Sequence, residues 1–313
     1  MFPAGRMAVP ELPEINLYLH ALRARVESAV LENVRIRSAS LLKSFDPPIS
    51  EAHGRRVLAL GRLGKRIVFD LEGDLFIVIH LMISGRFQWK EPGAPIQKKI
   101  GHAAFDFAGG TLLLTEASSH KRASLHLVRG RDALAAHDPG GVEPLGVSLE
   151  GFTEALRREN RTMKRALTDP RLFSGIGNAH SDEILLRSRL SPVRRTSQLS
   201  DGEIARLFKE TRACLVEWSA RLIEEAGVDF PKKVTAFHPL MGAHGKFGEP
   251  CPQCGTPIQR IVYASRETNY CPECQTGGKL LADRALSRLL REDWPRSVEE
   301  LEALKRPGGD ESL

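Results

Sequence analysis

Apolar residues recur at helical spacing between positions 15 and 30, at Leu19, Leu22, Val26 and Val30, with Arg23, Arg25 and Glu27 on the opposite side. That spacing predicts one amphipathic helix. The period then shortens to that of strands. Residues 57–60, 67–69, 75–83 and 105–114 are apolar runs set apart by Glu72-Gly73-Asp74 and Gly109-Gly110, which are turn residues. Short strands joined by tight turns beside one helix predict a β-sandwich or barrel over residues 9–130. Residues 131–149 include Asp138-Pro139-Gly140-Gly141-Val142-Glu143-Pro144 and have the composition of a linker. Helical spacing returns from residue 150. Phe152, Leu156, Met163 and Leu167 share a face that Arg157, Arg158, Arg161 and Arg165 avoid. Ser200 with Glu203 forms a capping box that opens a helix running towards Ala226, with Cys214 as a buried thiol in its middle. The second half is therefore mostly α, over 150–240. A further helix is expected over 279–291, within a C-terminal extension covering 279–313, and disorder is expected after Arg306. There is no internal repeat.

At 313 residues the chain is long enough for two domains, each with its own core. Its net charge of +6 and pI near 9.2 understate the basicity of the body, because residues 293–313 hold six acids against three bases. A basic body favours a polyanionic partner such as nucleic acid. No apolar run approaches the roughly 18–20 residues of a membrane span, so no membrane partner is expected. The amino terminus shows no hydrophobic export segment. Four of the five cysteines form two C-x-x-C pairs, which argues against a disulfide framework and for a reducing cytoplasm.

Those pairs, Cys251-x2-Cys254 and Cys271-x2-Cys274, carry the most specific local signal. Two thiolate pairs on tight turns supply four soft ligands at the spacing of a structural zinc ribbon, here over 245–278. Paired redox cysteines are the alternative, but they would need a thioredoxin-like βαβ context twice over. Four protein ligands leave one zinc ion no open position, so the metal holds a fold rather than activating water.

Three separated stretches can be read together: Pro10-Glu11-Leu12-Pro13-Glu14; Gly175-Ile176-Gly177-Asn178 with Asp182-Glu183; and Gly248-Glu249-Pro250-Cys251 through Cys274. In content and order they resemble the formamidopyrimidine-DNA glycosylase family, which includes the endonuclease VIII-like enzymes. The resemblance spans roughly residues 9–275. It implies an α+β multidomain protein with an N-terminal β-sandwich and flanking helix, a helical helix-two-turn-helix domain and a zinc finger. It also implies a monomeric repair enzyme, cytoplasmic and at work on the nucleoid, that excises oxidised bases from duplex DNA and then cleaves the abasic strand.

Carried over to this chain, the resemblance makes Pro10 the nucleophile that attacks the sugar C1′. Glu11 becomes the acid and base that opens the deoxyribose ring, and Glu14 helps to orient the site. A terminal amine suits this task because its pKa is about 7.7–8.0, against about 10.4 for lysine, so far more of it is neutral at cellular pH. Lys65, in Gly64-Lys65-Arg66, resembles a lysine that contacts phosphate beside the damaged nucleotide. Asn178 lies in a Gly-Ile-Gly-Asn turn that opens a helix, where backbone N–H groups and the dipole suit a phosphate. Arg266 on the zinc hairpin would grip the same backbone. Residues His80-Leu81-Met82-Ile83-Ser84-Gly85 resemble the loop that fills the space left by a flipped nucleotide.

The chain also departs from the family pattern. Ile83 stands at the common void-filling methionine, and Met82 replaces a glycine. Residues 115–124 replace Asp-Pro-Arg-Arg-Phe-Gly and lack its wedge phenylalanine, so Arg122 or Lys121 is left to read the orphaned base. The loop between Gly227 and Gly245, where the resemblance implies a cover over a purine lesion, is somewhat short. Pro10 has nine residues before it, and an amide nitrogen bonded to Val9 cannot form an imine. A GUG start codon at Val9, followed by methionine removal, would expose the proline. Two other readings remain open: a zinc-finger protein that binds damaged or abasic DNA without lyase activity, and a monofunctional glycosylase that uses water and Glu11.

Overall fold

A computed structural model describes residues 9–263 and 266–281 and the isolated positions 295, 297 and 300; the side chains of Tyr263 and Arg266 lie outside that description. Most of the helix expected over 279–291, and the tail after Arg306, also fall outside the described residues.

Helix α1 (Leu12–Val26) carries Pro13 in its first turn, where a missing N–H costs no hydrogen bond. It ends earlier than the apolar spacing predicts. Glu27 is extended, Ser28 takes a positive φ of 64°, and Val30 leaves the helical face to pair with Arg56. The apolar residue at position 30 is thus recruited by a strand.

Two antiparallel sheets follow. The first has the order β1 (Val30–Leu31), β3 (Arg55–Leu63), β4 (Arg66–Leu71), β5 (Leu75–His80) and β9 (Ser124–Arg129). The second has the order β2 (Asn33–Ile36), β7 (Gly101–Phe107), β8 (Gly110–Glu116) and β6 (Gly85–Lys90). Their inner faces meet in one core, where Phe69 of β4 stacks on Phe105 of β7 at 6.2 Å. The apolar run 105–114 folds back on itself at Gly109-Gly110. The run 75–83 is a strand only to His80, and its remainder forms the loop into β6. Short α2 (Arg131–Ala135) covers part of the outer face of the first sheet.

The second half is helical. Phe152, Leu156, Met163 and Leu167 are all fully buried, and their shared face is carried by two helices, α3 (Leu149–Arg157) and α4 (Met163–Thr168). Next come α5 (Asn178–Arg187) and the long α6 (Asp201–Ala226), which opens on the Ser200–Glu203 capping box and buries Cys214. The hairpin β10 (Gln259–Tyr263) and β11 (Arg266–Tyr270) leads into α7 (Pro272–Thr276).

The two halves interlock. Leu12 opens α1 but belongs to the helical core, where its complete burial is worth about 1.5–3 kcal/mol. Asn16 of α1 donates to Ser219 of α6 at 3.2 Å. Arg62, at the end of β3, reaches across to Glu143 in the connecting segment and to Ser174. These contacts set the amino-terminal end of α1 against that of α5. Among the described residues no helix is long and apolar enough to cross a membrane.

Candidate active site

Glu11 sits between the two halves. It precedes α1 in extended conformation, and its carboxylate accepts hydrogen bonds from Gly177 N (2.7 Å), Ala179 N (2.8 Å) and His180 N (3.1 Å) at the start of α5. The first turn of a helix has N–H groups without intrahelical partners and the positive end of the dipole, so an anion there is doubly favoured. The sequence assigned this helix start to a phosphate; in the structure the protein's own carboxylate occupies those three donors. Pro10 is buried beside Glu11, and Leu12 N donates to Gly175 O at 2.9 Å, which anchors the segment.

Glu14 completes the frame. One carboxylate oxygen accepts from Glu11 N at 2.8 Å and the other lies 3.1 Å from His180 Nε2. Burial opposes both charges. The His180 charge and hydrogen bonds nevertheless hold the Glu14 carboxyl below its ordinary value. For His180, burial alone would strip the proton, but Glu14, with help from Cys214 and Glu11, keeps it on well above the usual histidine range. The two form a buried ion pair.

His180→Ala leaves Glu14 buried without a counter-charge, an expected loss of about 3–5 kcal/mol in unfolding free energy. His180 binds its proton more tightly in the folded state, so its share is complete below 6.5 and fades as pH rises. Glu14 holds its proton less tightly there, so its share is complete above 4.5 and fades as pH falls. Urea denaturation of both proteins should therefore show the widest gap between pH 4.5 and 6.5.

Lys65 reaches the same point from the β3–β4 turn. A Cβ built on Gly177 would lie 2.4 Å from Glu11 Cδ and 2.6 Å from Lys65 Nζ, so carboxylate and ammonium both crowd the space that glycine leaves. Lys65 and Arg66 also act on His80 at the end of β5. Burial first, then these two cations, push the imidazole down to about 4. Neutral His80 accepts from Met82 N through Nδ1 at 2.9 Å, and Met82 adopts a positive φ of 53°. That turn leaves Ile83 39% exposed at the loop tip. Arg122 lies on the neighbouring β8–β9 loop with an exposed side chain.

Asn178 does more than open α5, because its side-chain amide donates to Glu267 O of β11 at 2.8 Å. One turn on, Asp182 pairs with Lys164 and lies 2.8 Å from His244 Nδ1, while Glu183 accepts from the backbone N–H groups of Gly242, Ala243 and His244. Helix α5 thus holds Glu11 at its start and, one turn on, the segment that leads into the zinc ribbon. Arg266 pairs with Tyr263 through its backbone, and its side chain lies outside the described residues.

The sulfur atoms of Cys251, Cys254, Cys271 and Cys274 all lie within 4.8 Å of one another, with Cys251–Cys274 at 4.0 Å and Cys254–Cys271 at 3.4 Å. Tetrahedral zinc with bonds of about 2.3 Å places its sulfurs about 3.8 Å apart. The four cysteines therefore fit one structural zinc ion.

Sequence reasoning missed His180, Gly177 as a space-maker and the buried Glu116 described below. His180 and Gly177 sit inside the stretch that drew attention, but no local spacing marks a partner 166 residues away.

Three family profiles cover the chain in order. They are the formamidopyrimidine-DNA glycosylase N-terminal domain over residues 9–131, the formamidopyrimidine-DNA glycosylase H2TH domain over 141–222, and the zinc finger found in FPG and IleRS over 248–277. The chain is 32% identical over 280 residues to the formamidopyrimidine-DNA glycosylase of Heliobacterium modesticaldum, covering 85% of this chain and all of that one. With the Thermus thermophilus protein of the same name it shares 34% identity over 278 residues, covering 86% and 100%. Among solved structures it is similar to Lactococcus lactis formamidopyrimidine-DNA glycosylase non-covalently bound to DNA containing an abasic site. That match has a TM-score of 0.75 and 25% identity over 85% of this chain and 99% of the other. The same L. lactis protein in complex with DNA containing N7-benzyl-Fapy-dG gives 0.74 and 26%, over 85% and 100%.

Proposed function

The chain belongs to the formamidopyrimidine-DNA glycosylase family, and we propose that it excises oxidised bases from duplex DNA and then cleaves the abasic strand by β-elimination through an imine on Pro10. The observation that carries this reading is the Glu11 carboxylate, held by three amides beside Pro10, where α1 and α5 meet end to end.

As the first residue, Pro10 presents a secondary amine that is substantially neutral near pH 8. Its lone pair attacks C1′ and the damaged base departs with a proton. Glu11, fixed in orientation, relays the amine proton to that base, then takes a second proton from solvent water and delivers it to the ring oxygen as the sugar opens. The product is an iminium, whose positive nitrogen acidifies the C2′–H bond. Loss of that proton expels the 3′ phosphate, and water then releases the enzyme. Lys65 beside Glu11 supplies positive charge for the flanking phosphate. Asn178, His80, Ile83, Arg122 and Arg266 are assigned to the DNA around the flipped nucleotide. Cys251, Cys254, Cys271 and Cys274 would hold a structural zinc ion, which would stiffen the hairpin that carries Arg266.

The L. lactis complexes with abasic and Fapy-dG DNA support damaged duplex DNA as the partner of this chain. The test is incubation with duplexes carrying 8-oxoguanine or an abasic site, with and without borohydride. The expected outcome is strand cleavage without the reductant and a protein–DNA adduct with it. Absence of both overturns the proposal, whereas base release with an intact strand and no adduct assigns the attack to water.

A further inference from the structure

Glu116 ends β8 opposite Gly85, the first residue of β6, and is 1% exposed. A carboxylate withdrawn from water to this extent needs donors in its place. They come from two loops. Ser84 Oγ donates to it at 3.1 Å from the β5–β6 loop. From the β8–β9 loop Arg122 N reaches both oxygens at 3.0 Å and Ala123 N reaches one at 3.2 Å. His102 Nε2 lies 3.3 Å away but out of line for a hydrogen bond, and burial lowers the pKa of its ring, against the pull of Glu116 itself.

The same loops hold the exposed side chains assigned above to the DNA. Ile83 precedes Ser84, and Arg122 is the residue whose N–H is held. Lys121 turns back and donates to Glu116 O. The Arg122 side chain is exposed and makes no hydrogen bond or ion pair among the described residues. Of the two cations the sequence offered as a base reader, the structure ties up Lys121 and leaves Arg122 outward.

We infer that Glu116 is a positioning residue that locks the β5–β6 and β8–β9 loops into one unit, so that Ile83 and Arg122 enter the duplex together. This rests on the reading that both loops probe damaged DNA. A buried charge is a poor source of stability compared with apolar packing, and its best-attested use is to select one arrangement. Fixed backbones beneath exposed tips reduce the ordering cost of binding.

The experiment uses the full chain and a duplex carrying a tetrahydrofuran abasic analogue opposite 2-aminopurine, so it requires no turnover. Affinity is read by anisotropy and unstacking of the opposite base by 2-aminopurine fluorescence. Wild type is expected to prefer this duplex to its undamaged counterpart and to raise the fluorescence. Ser84→Ala removes only the link between the loops. It should weaken binding to the abasic duplex about fivefold and reduce the fluorescence rise, with undamaged duplex affected less than about twofold. Glu116→Gln, which sets an NH2 against backbone donors, should do at least as much, and Ser84→Thr, which keeps the hydroxyl, should restore wild-type behaviour. Should Glu116→Gln fail to fold, the two Ser84 variants decide. Equal losses on both duplexes, or no loss on either, overturn the inference while leaving the family activity intact. A wild type with no preference for the abasic duplex overturns the underlying reading instead.

Discussion

Protein whose chain starts at Pro10 forms a borohydride-stable adduct with abasic DNA, and protein that retains Val9 ahead of it forms none. The expected difference in trapped product is on the order of 10³-fold or more, the scale on which loss of a nucleophile registers. The cause is a change of functional group. A proline nitrogen in a peptide bond has given its lone pair to the carbonyl, whereas the same nitrogen at a chain start is a secondary amine with a pKa of about 8. Burial of Pro10 and the amide frame around Glu11 are shared by both proteins, so DNA binding should survive in both. The N-terminal family profile also opens at residue 9, one position before the proposed nucleophile. Intact mass spectrometry of the trapped adduct, with peptide mapping to Pro10, checks the result. An adduct of equal yield from the longer protein would move the nucleophile to a lysine, with Lys65 first in line. Tight abasic binding with no adduct from either protein would favour the binding-only reading.

How legible this was from sequence depends on the range of the interaction involved. Strands β3, β4, β5, β7 and β8 follow from apolar runs and the glycine turns at 73 and 109–110, which are local properties, whereas β1, β2, β6 and β9 lie outside those runs. The zinc ligands were equally plain, because their spacing states the coordination. The end of α1 was misplaced since Val30 fits the helical period and the strand equally well; Ser28's positive φ and the pairing with Arg56 decide for the strand. The candidate site was half legible. Pro10, Glu11, Glu14 and Asn178 stood out through family resemblance, but the occupant of the α5 amino terminus was misread. Nothing in either segment reveals that Glu11 comes to rest on Gly177, Ala179 and His180, more than 160 residues away. His180 and Glu116 were silent for the same reason. A single buried polar residue has no periodicity, and its meaning appears only when its donors arrive from elsewhere in the chain.

Gly177→Ala is expected to lower turnover on damaged duplex by on the order of 10²-fold or more while binding to an abasic-analogue duplex falls only a few-fold. The backbone at Gly177 is extended, with φ of −129°, so the penalty is one of space rather than conformation. The added Cβ would meet Glu11 Cδ and Oε1 at 2.4 Å and Lys65 Nζ at 2.6 Å. Lys65 ends in a flexible chain and can withdraw. Glu11 can yield only by giving up its bonds, because its backbone is held by Glu14 and its carboxylate by three N–H groups that come with the same turn. The methyl group therefore expels the carboxylate from the helix start and leaves buried donors unpaired, at about 1–3 kcal/mol for each group left unsatisfied. The tie from Asn178 to Glu267 uses neither Gly177 nor the Glu11 carboxylate, which is why binding is largely spared. A double-mutant cycle separates this account from general damage to the fold. In a Glu11→Ala background the space is already empty, so adding Gly177→Ala should cost little further stability in urea, and the two losses should be strongly non-additive. Full additivity would mean that Gly177 is needed for the turn itself, and that the crowding of Glu11 and Lys65 around it has no part in placing the carboxylate.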